Sequence, residues 1–446
     1  MYLSTVGRPD PTDPDAGAGA ERSRSRRRGW ALVGGNVVAL GTVSMITDVS
    51  SEMVSAVLPM YLVLGLQLSP LAYGVLDGVY TGATALLRIV GGFVADRIQA
   101  RKLLAGIGYA LSAVAKLGLL AAGRSAGAIG LVIAADRLGK GLRTAPRDAM
   151  ITLSTPAGSL GRAFGVHRAM DGAGAFLGPL VALAVLAAAG GSYDAVFVSS
   201  FCVAALGVVV LVLFVRDRPA PARPEAAAVG GSGGRPVLAS SRPEPVTVSE
   251  ALGLFRAPGV RRLLLAAVLL GLATIGDGFV YLLLQRREEL SAVWFPLLAV
   301  GTSLSYLLLA APLGVLADRV GRLPVVLGGY LALLGTYLLL PGPVHGWPLL
   351  ALVLGLYGLF YAATDGVLIA LAGPLLPERL RTTGIALVQT GQALAYLLSS
   401  VLFGLAWQTW GPATATRVAA ACVGAALVGT VLLLAARPTA RAGVAG

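Results

Sequence analysis

Long apolar stretches recur along this chain, and each one is long enough to cross a lipid bilayer as a helix. A bilayer core takes about 20 apolar residues per helix. Stretches of that length lie at 31–66, 71–95, 103–123, 125–150, 163–190, 195–215, 263–285, 290–317, 323–341, 347–376, 382–409 and 413–436. Because 56% of the 446 residues are apolar and 13% are charged, a soluble domain could not hide this much apolar surface. The sequence therefore predicts an all-α membrane protein with twelve transmembrane helices.

The net charge of +13 indicates how these helices are oriented. Basic residues cluster before the first stretch, after the second, and between the sixth and the seventh. The loops on the opposite side hold few beyond Arg124, Arg286, Arg287 and Arg417. Cytoplasmic loops of membrane proteins carry an excess of Lys and Arg. The distribution predicts a cell-membrane protein with both termini and the central linker in the cytoplasm, and it argues against nucleic acid as a partner.

The same map divides the chain into five segments. A cytoplasmic tail (1–30) precedes an N-terminal six-helix bundle (31–215). A cytoplasmic linker (216–259) leads to a C-terminal six-helix bundle (260–436), which a second cytoplasmic tail (437–446) follows. The linker is rich in Pro, Gly, Ser and Arg, a composition typical of flexible connections. The two bundles are therefore expected to be separate units.

Shorter features complete this map. Thr247 to Glu250 form a capping box for a short amphipathic helix that ends near Arg261. Residues 1–29 lack the apolar core of a secretory signal, so the first span is expected to stay in the mature protein. Cys202 and Cys422 both lie inside apolar stretches, so neither a disulfide framework nor a metal site is expected.

The two halves of the chain also resemble each other. GGFVADR at 91–97 is echoed by LGVLADR at 313–319, an offset of 222 residues. GRAFGVHRAMDGAGA at 161–175 is weakly echoed by LRTTGIALVQTGQAL at 380–394, an offset of 219. Near-equal offsets at two places indicate a duplicated six-span unit. Repeats of this kind are a known transporter architecture, with the substrate site between the halves near the membrane midplane.

The loop after the second span carries the strongest family signal. It contains Gly92, Asp96, Arg97, Arg101 and Lys102, with Gln99 and Ala100 at positions where Gly and Arg are usual. A cleaner copy in the second half contains Gly314, Asp318, Arg319, Gly321 and Arg322. These residues resemble the loop motif of the major facilitator superfamily, whose fold consists of two pseudo-symmetric six-helix bundles. The resemblance covers about 30–436 and implies that the loop bridges helix ends and stabilises one transport state. The alternative is a turn whose charges only set topology.

Two further motifs resemble elements of that superfamily. Arg137 and Gly141 resemble its R-x-x-x-G element, in which a buried Arg is implicated in proton coupling. Gly174, Gly178 and Pro179 resemble the G-x-x-x-G-P element of its proton-driven exporters. Small residues four apart let helices approach closely, and Pro bends a helix. Ordinary close packing explains the second motif equally well, and the further Gly pair usual in exporters is missing.

Ionisable residues within the apolar stretches are the candidate path residues, because charges inside a membrane are costly and default to a functional hypothesis. They are Asp48, Glu52, Arg88, Lys116, Arg137, Asp277 and Asp365. Glu52 with Pro59 resembles the acidic exporter element of the family, with Ala56 departing from it. Asp48 lies one helical turn before Glu52, so the two carboxyls share a helix face. Their repulsion favours retention of a proton, and we hypothesise that they form the coupling site. A structural ion pair is the alternative for each residue.

The function expected from this pattern is secondary active transport. A nucleotide-driven pump would need a G-x-x-x-x-G-K-[ST] loop, which the sequence lacks. An intramembrane enzyme would need a nucleophile beside a base or a metal cluster. The two separated histidines and the two cysteines in apolar stretches offer neither. We expect no enzyme activity, no cofactor and no metal. The resemblance implies a monomeric, proton-coupled exporter of a small amphiphilic compound that works by alternating access. A proton- or ion-coupled importer of a small metabolite, or a transport-dead sensor on the same fold, remains open.

Overall fold

The structure is a computed structural model that describes residues 34–97, 100–156, 159–217, 253, 257–364 and 381–435. Within the helices it leaves out the side chains of 85–97, 381–383, 386 and 435. The first half of the chain contains α1 (Gly35–Met60, continued by a π-helical turn at Tyr61–Gly65), α2 (Pro70–Arg97), α3 (Arg101–Ala121), α4 (Ala126–Leu153), α5 (Leu160–Ala188) and α6 (Tyr193–Phe214).

The second half repeats this arrangement with one interruption. It contains α7a (Pro258–Leu272), α7b (Asp277–Arg287), α8 (Pro296–Val320), α9 (Arg322–Leu339), α10 (Gly346–Thr364), α11 (Arg381–Trp410) and α12 (Pro412–Ala435). Counting α7a and α7b as one, ten of these twelve segments are long and apolar enough to cross a membrane. The predicted all-α membrane fold is confirmed. We call the side on which α1 begins the near side, and the side on which it ends the far side.

The two halves pack with the same pairing pattern. In the first half α1 packs on α5 and α6, and α4 packs on α2 and α3. In the second half α7a packs on α11 and α12, and α10 packs on α8 and α9. The halves meet through α2 against α11 and α5 against α8. Each pair has its counterpart after a shift of six helices, so the fold consists of two pseudo-symmetric six-helix bundles.

Two glycines explain why α1 and α5 lie so close together. A Cβ atom at Gly174 would meet the backbone of Met45, and one at Gly178 would lie 2.8 Å from the carbonyl oxygen of Val49. Helices approach this closely only where side chains are absent. Pro179 follows inside the same helix. The resulting contact fixes the face of α1 that carries Asp48 and Glu52.

The seventh span is broken, whereas the sequence predicted one continuous stretch at 263–285. The helix stops at Leu272 and restarts at Asp277. The Tyr337 hydroxyl accepts a hydrogen bond from the Ile275 backbone N–H at 2.9 Å, which satisfies a donor that the break leaves without a helical partner. Non-helical backbone inside a membrane persists only where protein groups or water satisfy it. The break therefore belongs to the packed interior and positions Asp277 at the start of a new helix.

Several predicted segments lie outside the described residues. These are the two tails, nearly all of the linker, and Asp365. The predicted amphipathic helix falls mostly on the same residues, and its proposed last residue, Arg261, belongs to α7a.

Candidate functional site

A cavity of about 440 Å³ lies between the two halves. Its wall includes three carboxylates: Glu52 from α1, Asp77 from α2 and Asp277 from α7b. Tyr73 and Tyr80 on α2, Tyr361 on α10 and Tyr396 on α11 contribute rings to the same wall. Small-molecule sites are typically concave spaces of about 300–1,000 Å³ with a few converging polar groups. The cavity is therefore the candidate substrate site.

Asp277 projects from the first turn of α7b into this cavity. Its Oδ1 atom accepts a hydrogen bond from the Tyr357 hydroxyl at 2.9 Å and a second from the Tyr361 hydroxyl. Both tyrosines come from α10, so the carboxylate is fixed by neutral donors of its own half. The sequence singled out Asp277, and the structure places it in the cavity wall.

Asp77 links the two halves. Its Oδ2 atom accepts hydrogen bonds from the Ser400 hydroxyl at 2.5 Å and the Tyr396 hydroxyl at 3.3 Å, both on α11. Because α2 and α11 belong to different bundles, these bonds must break or rearrange when the bundles move apart. Sequence reasoning missed Asp77, although an acidic residue inside the predicted span 71–95 was a usable signal.

Glu52 and Asp48 share a face of α1 but have different surroundings. The Asp48 carboxylate lies 3.6 Å from the Arg143 guanidinium on α4. Glu52 lines the cavity, and no hydrogen-bond donor contacts its carboxylate among the residues that the structure describes. Lys140 lies within electrostatic range of both carboxylates. Asp48 is therefore paired with a basic side chain, whereas Glu52 faces the cavity.

Arg137 belongs to a buried ionic cluster behind the cavity. Its guanidinium bonds to the Asp136 carboxylate and stacks on the Tyr80 ring, with 3.8 Å between Cζ and the ring centroid. Lys116 Nζ lies 3.5 Å from the other oxygen of Asp136, and Ser112 donates a hydrogen bond to the same oxygen. Arg137 is not among the residues that line the cavity, but it contacts Tyr80, which is.

A second polar cluster lies closer to the near side. Arg147 Nη1 donates to the Ser44 hydroxyl at 3.2 Å and lies 3.9 Å from Asp171. His167, which is 2% exposed, places Nε2 3.4 Å from the same carboxylate. Lys140, Arg143 and Arg147, which lie later on α4, are partly or fully buried. The last two lie near Asp48 on α1 and Asp171 on α5.

The far side of the cavity is sealed by direct contact between the halves. A Cβ atom at Gly74 would meet the backbone of Ser400, and one at Gly404 would meet the backbone of Pro70. An aromatic group covers the same end, with ring centroids 4.7 Å apart for Tyr73 and Phe279 and 4.9 Å apart for Phe279 and Phe403. Such packing leaves no room for a small molecule, so the structure is closed on the far side.

Comparison with known proteins agrees with this arrangement of a central cavity between paired bundles. The family model for the Major Facilitator Superfamily matches residues 40–301 and 288–446. The chain belongs to the major facilitator superfamily. An uncharacterized MFS-type transporter of Methanocaldococcus jannaschii is 29% identical over 383 residues, which cover 84% of this chain and 88% of that protein. The chain is therefore a membrane transporter by family.

Solved transporters of this superfamily share the fold. A structure of the nucleoside transporter NupG has a TM-score of 0.70 and 15% identity, covering 90% of this chain and 98% of that one. A POT family transporter in complex with 5-aminolevulinic acid has a TM-score of 0.70 and 14% identity, covering 90% and 96%. At these identities the likeness concerns the fold alone.

The structure describes part of the first superfamily loop motif. Lys102 Nζ donates to the Val212 carbonyl at 2.9 Å, and its backbone N–H donates to Asp217 at 3.2 Å, so the start of α3 is bound to the end of α6. Arg101 begins α3. The side chains of Arg88, Asp96 and Arg97, and the surroundings of Gly92, lie outside the described part of the chain. Whether they switch conformation stays a prediction.

The second-half copy of this motif connects α8 to α9. Asp318 and Arg319 are exposed at the end of α8. Gly321 takes φ +98°, a conformation that favours glycine, and thereby allows α9 to begin at once with Arg322. A Cβ atom at Gly314 would meet open space. The glycine of the turn has a clear backbone role, and the role of the two charges stays a prediction.

Proposed function

We propose that this chain is a proton-coupled secondary transporter that exports a small amphiphilic compound by alternating access. The observation that carries the proposal is Glu52, a carboxylate on the wall of a cavity to which both bundles contribute. A carboxylate that contacts the substrate space can exchange a proton with that space in either transport state. Glu52 is the proposed proton carrier, and Asp48 tunes it.

Alternating access is supported by the asymmetry of the contacts between the halves. Gly74, Gly404 and the Asp77 hydrogen bonds hold α2 against α11 toward the far side. Rocking one bundle against the other would open this contact and expose the cavity there. If the far side is external, the present conformation is the inward-facing one.

The energy needed for coupling is modest. One elementary charge that crosses ~100 mV gains about 2.3 kcal/mol. The Lys140 ammonium lies within electrostatic range of Glu52, so a movement of α4 relative to α1 changes how strongly the carboxylate holds a proton. A protonation step driven by this change can therefore be linked to substrate release.

The direct test replaces the proposed proton carrier. In everted membrane vesicles, Glu52→Gln should abolish accumulation driven by a proton gradient while downhill exchange continues, because Gln keeps the size of the side chain but cannot release a proton. Glu289→Gln, at an exposed acid beyond α7b, is the matched control and should accumulate substrate normally. The proposal is wrong if Glu52→Gln still concentrates substrate with an unchanged pH dependence.

The neighbouring acid should alter the pH profile instead. Asp48→Asn removes a negative charge one turn from Glu52 and leaves Arg143 without its partner at 3.6 Å. Both changes make a proton on Glu52 less favourable. The pH profile of transport should therefore move toward acid, as measured by initial rates over a pH series. An unchanged profile would mean that Asp48 is structural.

Direction and setting are tested separately. We propose a monomer in the cell membrane with both termini cytoplasmic, so reporter fusions at Arg28 and Arg437 should both report the cytoplasm. Efflux and uptake across a compound panel distinguish the exporter from an importer. Binding without movement in either direction would identify a sensor.

A further inference from the structure

Two of the three carboxylates in the central cavity have neutral partners. Asp77 is bonded to the Ser400 and Tyr396 hydroxyls. Asp277 is bonded to the Tyr357 and Tyr361 hydroxyls. Among the described residues, no basic side chain forms an ion pair with either acid. A carboxylate removed from water without a counter-charge is costly, so this pair favours a positively charged partner from outside the chain.

Three nearby basic side chains form ion pairs with other acids. Arg137 and Lys116 share Asp136, and Arg143 lies on Asp48. Lys140 lies within electrostatic range of Glu52 and Asp48. The first half thus supplies counter-charges for its own acids on α1 and α4, and none of these ion pairs includes Asp77 or Asp277.

Aromatic rings surround the same side of the cavity. Tyr73, Tyr361 and Tyr396 line it together with the two acids. The faces of aromatic rings attract cations within about 6 Å, and more strongly in a site from which water is removed. Arg137 shows this contact in the same molecule, 3.8 Å above the Tyr80 ring. A cation between Asp77 and Asp277 would contact both carboxylates and aromatic rings.

We propose that the substrate is an organic cation whose charged centre lies between Asp77 and Asp277, with its apolar part among the tyrosine rings. This rests on the proposed transport function and names the substrate class. The volume of about 440 Å³ fits a compound of one or two rings. A cation bound at Asp77 competes with Ser400 and Tyr396 for the carboxylate, so binding also weakens a link between the bundles.

The test compares ligands of one shape and different charge on the purified full chain. The probes are N-methyl-4-phenylpyridinium, the uncharged 4-phenylpyridine at mildly alkaline pH, and the 4-phenylbenzoate anion, with tetraethylammonium and tetraphenylphosphonium as further cations. Calorimetry should show that at least one cation binds roughly tenfold or more tightly than the uncharged probe, which is about 1.4 kcal/mol. The anion should bind more weakly than both.

Variants then assign the binding to the two acids. Asp277→Asn and Asp77→Asn keep the hydrogen-bond acceptor and remove the charge, and each should weaken cation binding roughly tenfold while leaving the affinity for 4-phenylpyridine unchanged. Glu289→Gln should leave both affinities unchanged. Thermal unfolding of each variant shows that it is folded, and Asp277→Glu should restore part of the affinity.

Three outcomes overturn the proposal: the uncharged probe or the anion binds as tightly as every cation, none of the three cations binds, or both Asn variants bind the cations normally. Each leaves proton-coupled transport of an uncharged or anionic compound standing. The proposed role of Glu52 in proton coupling fails through a different result, which is a Glu52→Gln variant that accumulates substrate normally.

Discussion

The two bundles share a packing pattern but stabilise their buried charged groups in different ways. The first half buries ionic groups that neutralise one another, as in Asp136 with Arg137 and Lys116. In the second half, Asp277 is held by tyrosine hydroxyls. An ion pair resists removal of one member, because the other is left charged and buried, whereas a hydroxyl bond has no such penalty. The first half therefore pairs the buried charges around Asp136, whereas Asp277 has no basic partner among the described residues.

The largest expected effect is on the stability of the first half. Asp136→Asn leaves Arg137 and Lys116, each 5% exposed at the side chain, without a counter-charge. The free energy of unfolding should fall by about 3 kcal/mol or more, seen as a lower midpoint of thermal unfolding in detergent. Asp277→Asn should cost about 1 kcal/mol or less, because the tyrosines still find an acceptor. Equal losses for the two variants would break the comparison.

An intermediate effect is expected where the two halves meet. Gly74→Ala places a methyl group against the Ser400 backbone, and overpacking of this kind costs about 1–3 kcal/mol. The closed far side should open more often, and a Thr81→Cys reporter in the cavity wall should react faster with an impermeant maleimide applied from the far side.

The matched control for this variant is Gly355→Ala in α10, where a Cβ atom would meet open space. Cys202 and Cys422, which are exposed, are first replaced by Ser in every variant. If both glycine variants label at the rate of the unaltered background, the contact is not part of the gate.

A smaller effect should follow from loss of one hydroxyl in the second half. Tyr361→Phe removes a donor to Asp277 and keeps the ring. One hydrogen bond is worth about 1 kcal/mol, so the KM of the transported compound should rise roughly fivefold. Tyr193→Phe, whose ring packs on Tyr61, is the control for loss of a hydroxyl outside the cavity. If the KM is unchanged in both variants, the Tyr361 hydroxyl does not position Asp277 for substrate binding.

The smallest effect is expected at the second-half loop motif. Asp318 is exposed, and substitutions at exposed positions usually change stability by less than about 0.5 kcal/mol. Asp318→Asn should reduce transport less than Asp96→Asn, measured as initial rates normalised to the amount of protein in the membrane. The reverse order would place the main switch in the second half.

Hydropathy predicted the positions of the helices well, but it did not predict which side chains contact one another between helices. The twelve spans follow from runs of apolar residues, which reflect the local requirement to cross a bilayer. The pairing of Arg143 with Asp48 depends on how α4 rotates against α1, and nothing local encodes that rotation. Hydropathy did not predict the break at 273–276, because Leu272 and the residues before it are as apolar as those of an unbroken helix. Asp77 was visible as an acid within a span, yet its contact with α11 arises only in the assembled fold.

The broken seventh span has a consequence for the evolution of a duplicated protein. Its counterpart α1 runs without a gap from Gly35 to Gly65, so only one of the two equivalent repeats carries a break in this position. Two identical repeats would be related by a two-fold axis along the membrane normal, so each helix would follow the same course as its counterpart in the other half. The break removes that equivalence, because α7b begins at Asp277 as a helix separate from α7a, whereas α1 has no such interruption. The duplicated halves are therefore no longer interchangeable.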